Sequence, residues 1–333
     1  MPNKIRIKLK EIRGQDLAVQ QLLQALQSGK VPHAYLFLGP DGVGKETAAK
    51  ALARALNCTN PVGGDACGMC LSCRRAAEGN HPDIHVLAPQ GSVIKIDQVR
   101  ELQRQVGFSR YEGKYQVVLF LEADRMKEEA ANALLKLLEE PPENTVLILI
   151  SAKPAALLQT IQSRCVPVRF VPLSPSLLVE LLVARGTTAD QAELLSGMAG
   201  GSIGQALALA GDARYMEARD QALDYLERLT RADAYQLLSM AAELEQQEDL
   251  ATVLDWMARW YRDILVWQQM GSERLILNRD CWDRVQGLKG WGGNHALALK
   301  EILLTRRRLQ ENVNKRLVLE AMLLRLKRAG RDS

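Results

Sequence analysis

Over residues 16–170 the apolar positions switch between two periods. Residues 16–27 carry Leu17, Val19, Leu22, Leu23 and Leu26 at nearly helical spacing, and residues 47–56 repeat the pattern in alanine and leucine. Residues 34–38 form a short apolar run that breaks into the glycine-rich segment 39–44, and 84–87 reads as a further strand. The runs QVVLFL (116–121) and TVLILI (145–150) are short, unalternating and rich in β-branched residues, which suits strands buried on both faces of a parallel sheet. Helices are predicted over 96–106, with Asp97 near the start, and over 128–140, where Pro141 and Pro142 end the run. Proline cannot continue a helix, and it pushes the residue before it out of the α region.

Past about residue 172 the strand signal disappears. Three short helices are predicted over 173–184, 189–199 and 201–209, followed by longer helical periodicity over 214–229, 232–243, 250–270 and 297–326. Gly211 and Asp212 mark a boundary, and the glycines of GLKGWGG (287–293) a loop. The expected plan is therefore α/β plus all-α. A parallel-sheet domain covers 1–171, a small helical unit 172–211, and a larger helical domain 212–333.

A length of 333 residues suits two or three domains, and 47% hydrophobic with 25% charged residues excludes a mostly disordered chain. No run approaches the roughly 20 apolar residues that cross a bilayer, so no membrane association is expected. Met1 to Lys10 is cationic without an apolar stretch behind it, which makes the cytoplasm the expected location. The net charge of 43 − 39 = +4 is too mild to argue for nucleic-acid binding alone, and 5% aromatics does not favour a base-stacking protein. Composition becomes informative at the cysteines, because four of the six fall within 58–73.

Gly39-Pro40-Asp41-Gly42-Val43-Gly44-Lys45 fits the glycine–lysine part of the phosphate-loop pattern, after a strand and before a helix as that motif requires. Glycines let the backbone turn its N–H groups inward, and the following helix start adds partial positive charge. Lys45 would reach the terminal phosphates of a nucleotide. The pattern then demands a hydroxyl to hold Mg²⁺, and this chain has Glu46. Thr47 lies one residue late, about 100° further round the helix. The second acidic element departs in the same way. If Glu122 orients the attacking water, Leu121 stands where the metal-binding Asp belongs; if Asp124 is the ligand, it sits about two residues beyond the expected strand end. The loop keeps what binds phosphates, so ATP binding stays open, while Mg²⁺ retention and hydrolysis are not expected.

Cys58, Cys67, Cys70 and Cys73 give the spacing C-x8-C-x2-C-x2-C. Two-residue gaps let successive thiolates converge on one ion, and four sulfurs suit tetrahedral Zn²⁺. With no open position such a site is structural. Disulfides fit poorly in a chain without a secretion signal, and a C-x-x-C redox pair is the other alternative. His81 and His85 lie nearby but are read as ordinary loop and strand residues, and Cys165 and Cys281 as incidental.

The phosphate loop, the four-cysteine module, AANALLKLLEEPPENTVLILI (130–150) and Ser163-Arg164-Cys165 together resemble the AAA+ subunits of the bacterial DNA polymerase III clamp loader. The resemblance is strong over residues 12–210 and rests on helical character beyond. It implies a phosphate-loop domain, a helical lid (172–211) and a helical collar (212–333) that assembles a pentamer around primer–template DNA. The family contains ATP-hydrolysing gamma/tau subunits and a related delta-prime branch, a largely rigid stator. Glu46, Leu121 and Gly204, the last standing where the ATPases carry a phosphate-sensing Arg, are similar to the delta-prime branch. The absence of a tau-like extension points the same way. The resemblance also implies gamma/tau ATPases and the delta subunit as partners, with indirect contact to the sliding clamp. It makes Arg164 a finger that projects into a neighbour's ATP site. Two rival readings are an active ATPase that recruits Glu46 or Asp124 to magnesium, and a free-standing zinc DNA-binding protein.

Trp256, Trp260 and Trp267 share one helix face and read as a core or subunit-packing stripe. Arg306 to Arg308, Lys315, Arg316, Arg325, Lys327 and Arg328 make the last helical segment cationic, which reads as a solvated face.

Overall fold

The computed structural model describes residues 7–106, 111–287, 293–309, 311 and 313–330. The loop expected over 287–293 falls largely outside them. The chain divides into two compact units, residues 1–182 with 199–206, and residues 183–198 with 207–333. Residues 172–211 thus contribute to both.

In the first unit α1 (Asp16–Ser28), β1 (Ala34–Leu38), α2 (Lys45–Leu56) and α3 (Leu71–Glu78) precede β2 (Ile84–Leu87), α4 (Ile96–Val106) and β3 (Gln116–Phe120). Then come α5 (Glu128–Glu139), β4 (Thr145–Ser151), α6 (Gln159–Gln162), β5 (Val166–Arg169) and α7 (Pro175–Val183). The five strands pair in the order β2-β3-β4-β1-β5, every pair parallel. Alternate residues face opposite sides, so Tyr35, Phe37, Leu119 and Ile148 pack with α1 and α2, while Leu36, Val118, Phe120 and Leu149 pack with α4 and α5. Burial on both faces explains why β3 and β4 read as unbroken apolar runs.

Two local departures from the sequence expectations have simple causes. Helix α3 carries too few apolar residues to show a period; it starts where the Cys70 side chain accepts the Cys73 N–H and stops at Gly79, whose φ of 78° is left-handed. Residues 154–161, where the sequence suggests one short helix before the Ser-Arg-Cys segment, form a 3₁₀ turn at Pro154–Ala156 followed by the single turn of α6.

Helix α8 (Ala189–Met198) belongs to the second unit, and α9 (Ile203–Ala210) begins in the first unit and ends in the second. The rest of the second unit is α10 (Ala213–Arg231), α11 (Ala234–Glu245), α12 (Leu250–Met270), α13 (Trp282–Gly287), α14 (His295–Arg308) and α15 (Lys315–Ala329). The periodic stretch 297–326 is two helices. Asn314 starts the second by accepting the Leu317 N–H at 3.0 Å, and a capping side chain of this kind ends one helix and begins another without disturbing the apolar spacing.

Trp256 and Trp260 on α12 are fully buried, and the Arg219 guanidinium lies 5.5 Å from each ring. The indole N–H of Trp256 donates to the Tyr215 carbonyl at 3.1 Å. Trp267 packs on Trp282 with ring centres 5.4 Å apart. Trp256 and Trp260 are therefore core, and Trp267 is partly buried against it. The basic segment is only in part a solvated face. Arg306, Arg316 and Arg325 pair with Asp255, Glu320 and Glu301, and Lys327 is buried, its ammonium donating to the Leu229 and Thr230 carbonyls at the end of α10. A cation closing the negative end of a helix is a structural use of charge that composition does not distinguish from a surface lysine.

Replacing Trp256 by Ala removes a fully buried ring and a hydrogen bond. The expected loss is about 3–5 kcal/mol, read as a lower urea midpoint for unfolding of the helical unit.

Candidate functional site

The loop between β1 and α2 follows from three glycines with positive φ: Gly39 (150°), Gly42 (71°) and Gly44 (104°). Any Cβ at Gly39 would meet the Phe170 carbonyl at 2.3 Å, and one at Gly42 would meet Ser202 Oγ at 2.2 Å and Gly204 Cα at 3.1 Å. The start of α9 is thus seated on the loop, and the Gly204 N–H donates to the Gly42 carbonyl at 2.9 Å. Gln15, 2% exposed, completes the clamp. Its amide donates to the carbonyls of Val43 (3.2 Å) and Val171 (2.7 Å) and accepts the Val171 N–H at 3.0 Å.

Lys45 is buried at the start of α2 and donates to the Gly39 and Pro40 carbonyls, each at 2.5 Å, with Asp41 at 3.8 Å. Burial lowers its pKa from the ordinary lysine range, and the charges of Asp41 and Asp124 oppose that shift. Glu46 pairs with Lys50 one turn on, at 2.5 Å. Of the carboxylates after β3, Glu122 has a left-handed backbone (φ 49°) and pairs with Arg125 at 2.8 Å, while Asp124 accepts the Ala152 N–H at 3.2 Å and contributes charge at Lys45. Leu121 packs against the sheet core. Gly39, Gly42, Gly44, Lys45 and Glu46 lie on the loop and the first turn of α2, and Asp41 and Asp124 are the acidic groups acting on Lys45.

The four cysteine sulfurs, Cys58, Cys67, Cys70 and Cys73, lie within 4.8 Å of one another. Cys58–Cys70 and Cys67–Cys73 are each 4.0 Å apart, twice a disulfide bond, and all six cysteines are free. Four sulfurs at about 2.3 Å from one tetrahedral ion would be roughly 3.8 Å apart, so the set fits a metal with little adjustment. Backbone N–H groups also point at the sulfurs: Cys67 at Cys58 Sγ (3.2 Å), Cys70 at Cys67 Sγ (3.3 Å) and Cys73 at Cys70 Sγ (3.4 Å). Burial raises the thiols of Cys58 and Cys73, while the N–H groups of Cys70 and Met69 hold the Cys67 thiol below the usual cysteine range. Such donors favour thiolate, the form that binds metal. The knuckle is tied to the sheet through Ser72, whose hydroxyl donates to the Asn57 carbonyl at 2.6 Å and lies 3.0 Å from His81 Nε2. Burial lowers the pKa of His81. It is a buried strut between α3 and β2. His85, on β2, is likewise shifted down by burial.

Arg164 lies at the other end of the sheet. Parallel register pairs Tyr35 with Val166, which puts Arg164 level with residue 33, six positions before Gly39. At roughly 3.3 Å per residue the two stand about 20 Å apart along the strands. Its guanidinium pairs with Glu139 at 2.8 Å and donates to the Thr160 carbonyl at 2.9 Å, with 37% of the side chain exposed. Burial pushes the adjacent Cys165 thiol up to about 12, which keeps it protonated and inert. Cys281 is a packing residue within reach of Arg219.

Sequence reasoning missed Gln15, Ser202 and Glu139. Each acts through a partner distant in the chain, and only the motif FLGPDGVGK hints that something must clamp the loop.

A parallel sheet in the order β2-β3-β4-β1-β5 carrying a phosphate loop after β1, joined to a helical C-terminal half, defines an AAA+-type protein. The sequence profile described as "DNA polymerase III, delta subunit" matches residues 14–174, and that described as "DNA polymerase III, delta subunit, C terminal" matches 213–328. The chain is 31% identical to the DNA polymerase III subunit delta' of Bacillus subtilis, covering 94% of this chain and 96% of that one. It is 36% identical to the corresponding subunit of Pseudomonas aeruginosa, with 92% and 95% covered. A gamma/tau subunit of Mycobacterium tuberculosis is 35% identical over 55% of this chain and 32% of its own length. Among solved structures, a gamma subunit-related protein from Thermotoga maritima aligns with a TM-score of 0.45 at 18% identity, covering 93% of this chain and 100% of that one. The chain belongs to the delta-prime subunit family of the DNA polymerase III clamp loader. Among the described residues no helix is long and apolar enough to cross a membrane.

Gly42→Ala should destabilise the first unit, because the new methyl meets Ser202 and Gly204 and the backbone keeps φ 71°. A cost of about 1–3 kcal/mol is expected, measured as a fall in thermal midpoint.

Proposed function

We propose that this chain is a non-hydrolysing member of the clamp loader that lends Arg164 to the ATP site of a neighbouring gamma/tau-type ATPase subunit. One observation carries the reading: Arg164 sits half-exposed at the end of the sheet opposite its own phosphate loop, about 20 Å away along the strands. An arginine so placed cannot serve its own loop. It can serve a loop presented by another subunit. There a guanidinium would offset charge developing on the transferred phosphoryl group, an effect worth roughly 10³–10⁵ in rate.

Three features support a silent site in this chain. Glu46 is committed to Lys50, Leu121 is packed in the core, and Lys45 is engaged by the loop's own carbonyls. Gly204 in contact with the loop removes the last nucleotide-sensing position. The four cysteines would hold a structural zinc, which fastens the segment between α2 and α3. On this reading residues 1–171, 172–211 and 212–333 act as AAA+ domain, lid and collar. The partners are gamma/tau and delta subunits, with the sliding clamp and primer–template DNA engaged within the complex, in the cytoplasm.

Alone, the purified chain should turn over no ATP, and Lys45→Ala should change nothing; turnover abolished by that substitution would overturn the reading in favour of an active ATPase. Reconstituted with ATPase subunits, primed DNA and clamp, Arg164→Ala should lower hydrolysis while leaving the assembly intact on gel filtration. Metal analysis should find one zinc per chain, lost in Cys70→Ser together with a drop in thermal midpoint.

A further inference from the structure

We infer that Glu139 is the positioning residue of the Arg164 finger; this rests on the function proposed above. Glu139 is the last residue of α5, and its carboxylate lies 2.8 Å from an Arg164 terminal nitrogen. The other terminal nitrogen donates to the Thr160 carbonyl at 2.9 Å and approaches Ser163 Oγ at 3.5 Å. The fork is thus gripped from one side by a carboxylate and a helix-end carbonyl, while 37% of the side chain stays open to solvent. A guanidinium has five N–H donors in a rigid plane, so fixing two corners sets the direction of the rest.

The place of Glu139 argues for a purpose beyond solubility. The final turn of a helix favours cations; α5 carries Lys136 there, yet its last residue is Glu139, followed by Glu140. Its position is nonetheless fixed firmly. Leu134, Leu137 and Leu138 bury the preceding turn, Pro141 and Pro142 stop the helix, and the Thr145 N–H closes the turn on the Pro142 carbonyl at 3.1 Å. Ile161, fully buried, anchors α6 from the other side. Both ends of the pair therefore rest on core-packed elements, and such support is what holds a reacting group within a fraction of an ångström of its working place.

The test uses the reconstituted complex with ATP, clamp and primed DNA, comparing wild type, Arg164→Ala, Glu139→Ala, Glu139→Gln and the double variant Glu139→Ala/Arg164→Ala. The part of hydrolysis that Arg164→Ala removes is the finger-dependent part. Glu139→Ala should cut kcat of that part by about 10-fold or more with KM for ATP unchanged, since displacement of a transition-state contact by an ångström costs on that order. Glu139→Gln, which keeps an acceptor, should restore most of it, and the double variant should be no worse than Arg164→Ala alone. The thermal midpoint of Glu139→Ala should not fall, because alanine is favoured in that turn. Unchanged or increased hydrolysis in Glu139→Ala, or a further loss in the double variant, would overturn the inference while leaving the finger standing. If Arg164→Ala itself has no effect, the finger reading fails first.

Discussion

The parallel pairing of β1 with β4 on one side and β5 on the other governs most of what this chain can do. Parallel strands all point one way, so every loop that follows a strand collects at one end of the sheet and every segment that precedes one collects at the other. The phosphate loop follows β1; Ser163-Arg164-Cys165 precedes β5. The phosphate loop and Arg164 are thereby separated by the length of a strand. The buried apolar runs that build β3 and β4 hold this arrangement by covering both faces of the sheet with helices.

The phosphate loop is held in place by contacts from within the chain. A working phosphate loop directs N–H groups and a lysine at a ligand. Here Lys45 is matched by two carbonyls of its own loop, Gln15 clamps the backbone, and the start of α9 covers Gly42. Groups that would otherwise lose hydrogen bonds on burial are satisfied within the chain, which lets the motif persist as architecture. The knuckle is organised on the same logic, with sulfurs receiving backbone N–H groups and Ser72 and His81 tying it to the sheet.

Much of this is legible in the sequence because it depends on local pattern. Strands β1, β3 and β4 show themselves as short apolar runs, and the end of α5 is written in Pro141-Pro142. The cysteines meet as their spacing requires. What stays hidden depends on contacts between distant segments. Gln15 reads as any helix-flanking glutamine, yet it bridges residues 43 and 171. Lys327 reads as one basic residue in a cationic helix, yet it is buried against the end of α10. Asn314 divides a continuous apolar period because capping acts on the backbone, which hydrophobic spacing does not record. Glu139 reads as a helix-end charge until the fold brings Arg164 beside it.

The contact between Gly204 and the loop restricts what residue 204 can be. A Cβ at residue 204 would stand 2.9 Å from Gly42 Cα, and backbone cannot yield as a flexible side chain can. Any side chain at 204 therefore requires the first turn of α9 to lift off the loop, so the closeness of the two segments depends on glycine at both positions.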